Sequence, residues 1–252
     1  MASLVGSRVE RKEDKRFLTG KGRYTSDINI ANQTYAIFIR SPHARAKIKK
    51  IDTSKALKSS GVVEILTGEH IAQDKIGGLI AGWAIRSEDG SEMKCPANPP
   101  LAKDNVNFVG DPIAVVFAES LDEAKAAAEL VKVDYKVLKA VVSLADTMKS
   151  EAIHEGIDKN ICYDWLLGDR QKVKEAFDKA DKVIKLDITN NRLIPNAMEP
   201  RACVIDYNTA SEEITCYTTS QNPHLSRLIM SAFGGVTPEN KLRVVAPDVG
   251  GG

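Results

Sequence analysis

An unbroken apolar run, Ile113 to Ala118 within NFVGDPIAVVFAES, constrains the fold more than any other stretch of the chain. With no polar residue to turn toward water on either side, it predicts a strand covered on both faces. LDEAKAAAELVKV follows directly, a helix with Ala124, Ala127, Ala128 and Val131 on one face. Its Asp122 and Glu123 sit at the end where the helix dipole favours negative charge. VKVDYKVL then returns as a strand. Strand, helix and strand across 112–138 predict a βαβ-type or α+β unit, because a strand of this kind must be roofed by other elements.

The chain ahead of this unit supplies candidates for the roof. TYAIFIRS predicts a strand covered on both faces and ended by Ser41-Pro42-His43, where proline removes a ladder donor. AKIKKID, residues 46–52, alternates lysine with isoleucine and predicts a half-exposed strand that completes a hairpin with the first. Asp52 or Thr53 can cap a short helix through TSKALKSS, Gly61 closes it, and VVEILTG predicts a third strand. Residues 69–100, rich in Gly, Asp, Ser and Pro, predict a long loop. The first twenty residues predict an extended arm anchored by Phe17 and Leu18, with Gly20 and Gly22 bracketing a turn.

After a connector at 139–170, Asp169 is placed to cap the helix RQKVKEAFDKA, with Val173, Ala176 and Phe177 facing inward. KVIKLDIT alternates Ile184, Leu186 and Ile188 with polar residues and predicts another strand. Glu199 to Tyr207 and Glu213 to Thr219 predict an antiparallel pair, followed by a helix from Pro223 to Ala232 and a strand from Lys241 to Ala246.

Composition excludes several function classes. Lys+Arg 35 against Asp+Glu 34 leaves a net charge of +1, so no chain-wide field steers the protein to nucleic acid or anionic lipid. The longest apolar runs fall far short of the ~20 residues a bilayer-crossing helix needs, so no membrane span is expected. Cys95, Cys162, Cys203 and Cys216 form no CxxC pair, which argues against a zinc or iron–sulfur site. Scattered thiols without a secretory leader are expected in a reducing cytoplasm.

No GxSxG elbow or GxGxxG fingerprint occurs. Glu199 in AMEPRA is a candidate acid or base, with a structural turn in which Arg201 pairs a local carboxylate as the alternative. Gln221 lies between the strand ITCYTTS and a helix led by Pro223, a junction that presents side chains and free backbone N–H groups to a ligand. Spacing alone favours the other reading, in which Ser220 or Asn222 caps that helix with Gln221 in solvent. Gly250, Gly251 and Gly252 follow the strand RVVAPDV and permit close backbone approach to a ligand, or form a tail.

Several motifs in order carry a family resemblance across essentially the whole chain. RKEDKRFLTGKGRYTSDI, IRSPHARAKIKKID, GVVEILTGEH, PLAKDNVNFVGDPIAVVFAES, AMEPRA, TTSQNPH and LRVVAPDVGGG together resemble the N-terminal part of the molybdenum-binding large subunit of the xanthine dehydrogenase and aldehyde oxidase family. The opening arm and the spacing resemble those of the aerobic carbon monoxide dehydrogenase large chain and its bacterial relatives. The resemblance implies an α+β fold: an arm at 1–19, an α/β-hammerhead domain at 20–138, and at 139–252 the first part of a mixed α/β molybdopterin-binding domain.

The same resemblance implies an oxidoreductase that hydroxylates an aldehyde or heteroaromatic, or oxidises carbon monoxide, with water-derived oxygen. The cofactor implied is molybdenum–molybdopterin in its cytosine dinucleotide form. Electrons are implied to leave through an iron–sulfur small subunit and an FAD medium subunit, in a cytoplasmic dimer of heterotrimers. By position, Gln221 matches the glutamine whose amide meets an oxygen ligand of molybdenum, and Gly250, Gly251 and Gly252 match the start of the glycine-rich loop beside the cofactor. No residue of this chain is implied to ligate the metal. The family's general base and substrate-side loop match no residue here, so the chain alone is expected to hold no molybdenum and to be inactive. The alternative expectation is a non-catalytic module that docks the iron–sulfur and flavin subunits.

Overall fold

The structure, a computed structural model, describes residues 5–251; Gly252 and the first four residues of the predicted arm lie outside the described residues. The elements in order are α1 (Asp14–Leu18), β1 (Tyr35–Arg40), β2 (Ala46–Asp52), β3 (Val62–Thr67), α2 (Gly68–Gln73), β4 (Asn105–Val106), β5 (Pro112–Ala118), α3 (Leu121–Leu130) and β6 (Lys132–Val137). There follow α4 (Leu144–Thr147), α5 (Arg170–Asp178), β7 (Cys203–Asn208), β8 (Glu213–Thr218), α6 (Pro223–Leu228) and β9 (Leu242–Val245). They divide into two compact units: Thr34–Ile194, and the described parts of Met1–Gln33 with Pro195–Gly252.

In the first unit, β5 is the centre of an antiparallel sheet ordered β1-β5-β3. One face of this strand gives Val116, which packs with Ala56, Ile65 and with Ala127 of α3. The opposite face gives Ile113, which packs with Ala46, Ala102 and Val106 beneath a second sheet ordered β4-β2-β6. Successive side chains of a strand alternate between faces, so a strand roofed on both sides shows no polar alternation. Full burial of a side chain such as Val116 stabilises the unit by about 1.5–3 kcal/mol. Ser120 caps α3 by accepting the Glu123 N–H at 3.2 Å.

The expected β1–β2 hairpin and the expected roofing of both faces of β1 are overturned. β1 and β2 do not form a hairpin: β1 pairs with β5, whereas β2 pairs with β4 and β6. β1 is an edge strand with one half-buried face and Phe38 49% exposed, because no described element roofs its outer side. Of the two alternatives for the strand–helix–strand at 112–138, the structure has α+β, since β5 and β6 belong to different sheets. Within the expected loop at 69–100, Gly68–Gln73 forms a helical turn.

Two amphipathic patterns bury nothing. Asp169 caps α5 as expected, accepting the Lys172 N–H at 3.0 Å, but the helix has no buried residue and Val173 and Phe177 are exposed. The segment 182–189 forms no strand, and Ile184, Leu186 and Ile188 are exposed. Alternation makes a strand only where a neighbour completes the ladder, and no described strand pairs with this one.

The second unit is built on the sheet β7-β8-β9. β7 and β8 are antiparallel and joined by a turn at Asn208, whose side-chain carbonyl accepts the Ala210 and Ser211 N–H groups at 2.9 and 3.2 Å. β8 and β9 are parallel, linked through α6. The expected helix from Pro223 is α-helical only to Leu228 and widens into a π-turn over Ile229–Phe233. Asp14–Leu18 of the expected extended arm is a short helix, and Leu18, expected as an anchor, is 87% exposed.

Candidate functional site

The parallel pair β8 and β9 gives the second unit a polarity. Tyr217 lies opposite Val245, so Gln221 and Gly250 both emerge beyond the carboxyl ends of adjacent parallel strands. β7 runs the other way, with Cys203 opposite Thr218, so the chain entering it, including Ala197 and Glu199, starts from the same end. Carboxyl ends of parallel strands are where α/β sheets present backbone and side chains to ligands. Three stretches far apart in sequence therefore adjoin the same end of the sheet.

Gln221 is exposed, and its amide makes no hydrogen bond to any described residue. The helix start beside it carries no side-chain cap. Ser220 Oγ accepts the Asn222 N–H at 3.1 Å and lies 3.1 Å from Ser226 Oγ, while Pro223 at the first helical position has no N–H to satisfy. Neither Ser220 nor Asn222 caps the helix, contrary to one reading, and Gln221 is left exposed and unengaged.

The glycine turn is held from two directions within this unit. Asp248 receives a two-pronged ion pair from Arg16, with Nη2 to Oδ1 at 2.7 Å and Nη1 to Oδ2, and also accepts the Arg23 N–H at 2.7 Å. Asp248 in turn donates its own N–H to the Arg23 carbonyl at 3.1 Å, so the arm and the strand exit form a short parallel bridge at Tyr24 and Asp248. The Arg16 guanidinium and the Arg23 amide hold the Asp248 carboxyl down at about 2. Arg16 also lies over the Phe17 ring, 4.6 Å from its centre.

Glu199 holds the turn from the other direction: its Oε2 accepts the Gly250 N–H. Arg201 pairs with no described carboxylate, contrary to one alternative. The second oxygen of Glu199, Oε1, is buried with no partner, as is the Thr25 hydroxyl. Unpaired buried polar atoms of this kind cost about 1–3 kcal/mol, and they mark places where a further polar group belongs. A Cβ on Gly250 would stand 2.6 Å from the Glu199 Cβ, and one on Gly251 only 2.3 Å from the Ala197 Cβ. Neither has a positive φ, so close approach rather than backbone conformation explains these two glycines. Gly252 lies outside the described residues.

Two grooves lie elsewhere. One, of about 440 Å³, is lined by Glu213, His224, Arg227, Glu239 and Lys241 at the amino ends of β8 and β9. The other, of about 610 Å³, lies in the first unit between Ser87–Lys94 and Asp158–Asp164. Neither includes Gln221 or the glycines. Among the described residues no cluster of three or more His, Cys, Asp or Glu side chains is placed to hold a metal ion, and no helix is long and apolar enough to cross a membrane. Cys216 is buried, and burial and then Cys203 push its thiol up to about 11.

The sequence singles out Gln221 and the glycines as candidates but gives no sign that Arg16, Asp248 and Ala197 pack around the glycine turn. Asp248 is 232 residues from Arg16, and nothing local in either segment announces the pairing.

Residues 19–139 match the family model for the a/b hammerhead domain of aldehyde oxidase and xanthine dehydrogenase, and residues 153–252 that for the molybdopterin cofactor-binding domain. The chain is 34% identical to the nicotine 6-hydroxylase large subunit of Paenarthrobacter nicotinovorans, over 99% of this chain and 30% of that protein. It is 33% identical to the carbon monoxide dehydrogenase large chain of Afipia carboxidovorans, over 98% of this chain and 31% of that one. Among solved structures, quinoline 2-oxidoreductase from Pseudomonas putida 86 superposes with a TM-score of 0.85 at 29% identity, over 98% of this chain and 30% of that one. The chain thus spans about a third of the length of the relatives it matches.

Proposed function

The chain belongs to the aldehyde oxidase and xanthine dehydrogenase family, and on that premise we propose that its second unit forms one wall of a molybdenum–molybdopterin site in an oxidoreductase. The observation that carries this reading is that Gln221 and the glycine turn both follow the carboxyl ends of the adjacent parallel strands β8 and β9.

The residues fit such a group. Gln221 offers an unengaged neutral amide, which can donate to an oxygen-bearing ligand without competing as a metal ligand. Gly251 offers a backbone N–H that no described residue takes, on a turn with no side chain to fend off a large ring system. The buried, unpaired Glu199 Oε1 supplies an acceptor beside them. When bound, the cofactor supplies two-electron oxidation of a carbon centre with oxygen drawn from water. This chain's residues bind and orient it, and Asp248, tied to Arg16, keeps the strand exit from shifting as they do so.

We assign the substrate to the class of carbon monoxide, aldehydes and nitrogen heteroaromatics, and the cofactor to the cytosine dinucleotide form. Iron–sulfur and FAD subunits take the electrons, in a cytoplasmic complex built as a dimer of heterotrimers. The hammerhead domain is assigned to 20–138 and the molybdopterin-binding part to 139–252.

Purification of the complex containing this chain from its source cells tests the reading. Molybdenum by elemental analysis, flavin and iron–sulfur absorbance, and oxidation of one member of a panel of carbon monoxide, aldehydes and heteroaromatics are expected. A complex free of molybdenum and inactive on the panel would leave docking of flavin and iron–sulfur subunits as the role. Gln221→Ala is expected to lower bound molybdenum in that complex, and unchanged metal content would remove Gln221 from the site.

A further inference from the structure

The segment AMEPRA enters the site through contacts that neither of its sequence readings contained. Glu199 is neither paired with Arg201 nor free to act as an acid or base at both oxygens, because Oε2 is committed to the Gly250 N–H. Ala197 meets Gly251 so closely that any Cβ there would overlap its own, at 2.3 Å. Gly250 is confined in the same way, with the Glu199 Cβ at 2.6 Å, Oε2 at 3.1 Å and Tyr24 Cε1 at 3.4 Å from the place its Cβ would take. Real Cβ contacts do not close below about 3 Å, so the two glycines and the two residues beneath them are a matched set.

We infer that Ala197 and Glu199 are positioning residues that divide the glycine turn into a part held by the protein and a part left for a ligand. Glu199 takes the Gly250 amide, which removes that donor from any ligand. Ala197 has the one side chain small enough to let the Gly251 backbone sit against it, and it leaves the Gly251 amide unengaged. The ligand-facing donor of the described turn is therefore Gly251 and not Gly250. Identification of that ligand as the molybdenum cofactor rests on the function proposed above, whereas the division of the turn does not.

Backbone amide exchange on the 252-residue chain, followed by NMR without cofactor, tests the division. In the wild type the Gly250 amide is expected to exchange more slowly than the Gly251 amide. Glu199→Gln keeps a carbonyl acceptor and is expected to hold Gly250 exchange within about twofold of wild type, while Glu199→Ala speeds it about tenfold. The Thr219 amide, bonded to the Ala202 carbonyl at 3.2 Å in the same unit, serves as the control and stays unchanged. Glu199→Asp, one methylene shorter, gives the same local loss should the alanine variant fail to fold.

Gly251→Ala is expected to disturb the turn, and adding Ala197→Gly to restore it, which a general loss of stability would not do. Gly250 exchange unmoved in both Glu199→Ala and Glu199→Asp, or a Gly251→Ala defect that Ala197→Gly leaves in place, overturns the inference. Because no cofactor enters these measurements, a molybdenum-free native complex would refute the proposed function and leave this result standing.

Discussion

Arg16 and Asp248, 232 residues apart, close a two-pronged ion pair that ties the N-terminal arm to the exit of strand β9, two residues before Gly250. Asp248 is 15% exposed and receives a backbone N–H from Arg23 as well, so the arm contributes both a charge and a strand-like bridge to the candidate site. An arm that carries almost no apolar anchor is thereby fixed by charge and hydrogen bonding.

That pair sets a pH window. A carboxyl lowered in the folded state contributes stability that is fully present above its unfolded value and is lost as pH falls through its folded value. For Asp248 the window runs from 3.8 down to about 2. Carboxyl ¹³C titration is expected to place its midpoint near the lower value, and Arg16→Gln to move it up toward the ordinary one. An unchanged midpoint in the variant would show that Arg16 is not the cause.

The thiols should separate by exposure. At pH 8 with the protein folded, iodoacetamide is expected to label exposed Cys95 readily and buried Cys216 hardly at all, since the latter's thiol lies at about 11. Peptide mapping after brief labelling reads this directly, and comparable modification of both would contradict the packing of β8.

Two glycines should respond oppositely to a single methyl group. A Cβ on Gly68 would lie 2.6 Å from the Ala102 carbonyl oxygen and 2.7 Å from the Lys103 Cα, both backbone atoms that cannot swing away. Gly68→Ala is expected to cost about 1–3 kcal/mol in urea denaturation. Gly82 has open space around it and an ordinary φ, and Gly82→Ala is expected to be neutral or slightly stabilising.

Equal hydrophobicity should not mean equal weight. Val116→Ala, in the doubly roofed strand, is expected to cost about 2 kcal/mol. Leu186→Ser, at a position 77% exposed, should stay within about 0.5 kcal/mol of wild type. A large loss from the second substitution would mean that the 182–189 segment packs in solution.

What the residues determined by themselves were local and periodic matters. The apolar run at 113–118 announced a strand buried on both sides, Asp169 and the acidic first turn of α3 announced helix starts, and the order of motifs announced the family. Gln221 and the glycines were visible because a strand-to-helix junction and a glycine run are local signals.

Only the tertiary structure decided which strands share a sheet. β1 and β2 went to different sheets, and the alternation at 182–189 found no ladder among the described residues, because pairing is a relation between segments that no single segment encodes. The same reason hid the supports of the candidate site. Arg16, Ala197, Glu199 and Asp248 acquire their roles from atoms within hydrogen-bonding or van der Waals reach, and chain folding alone brings those atoms together.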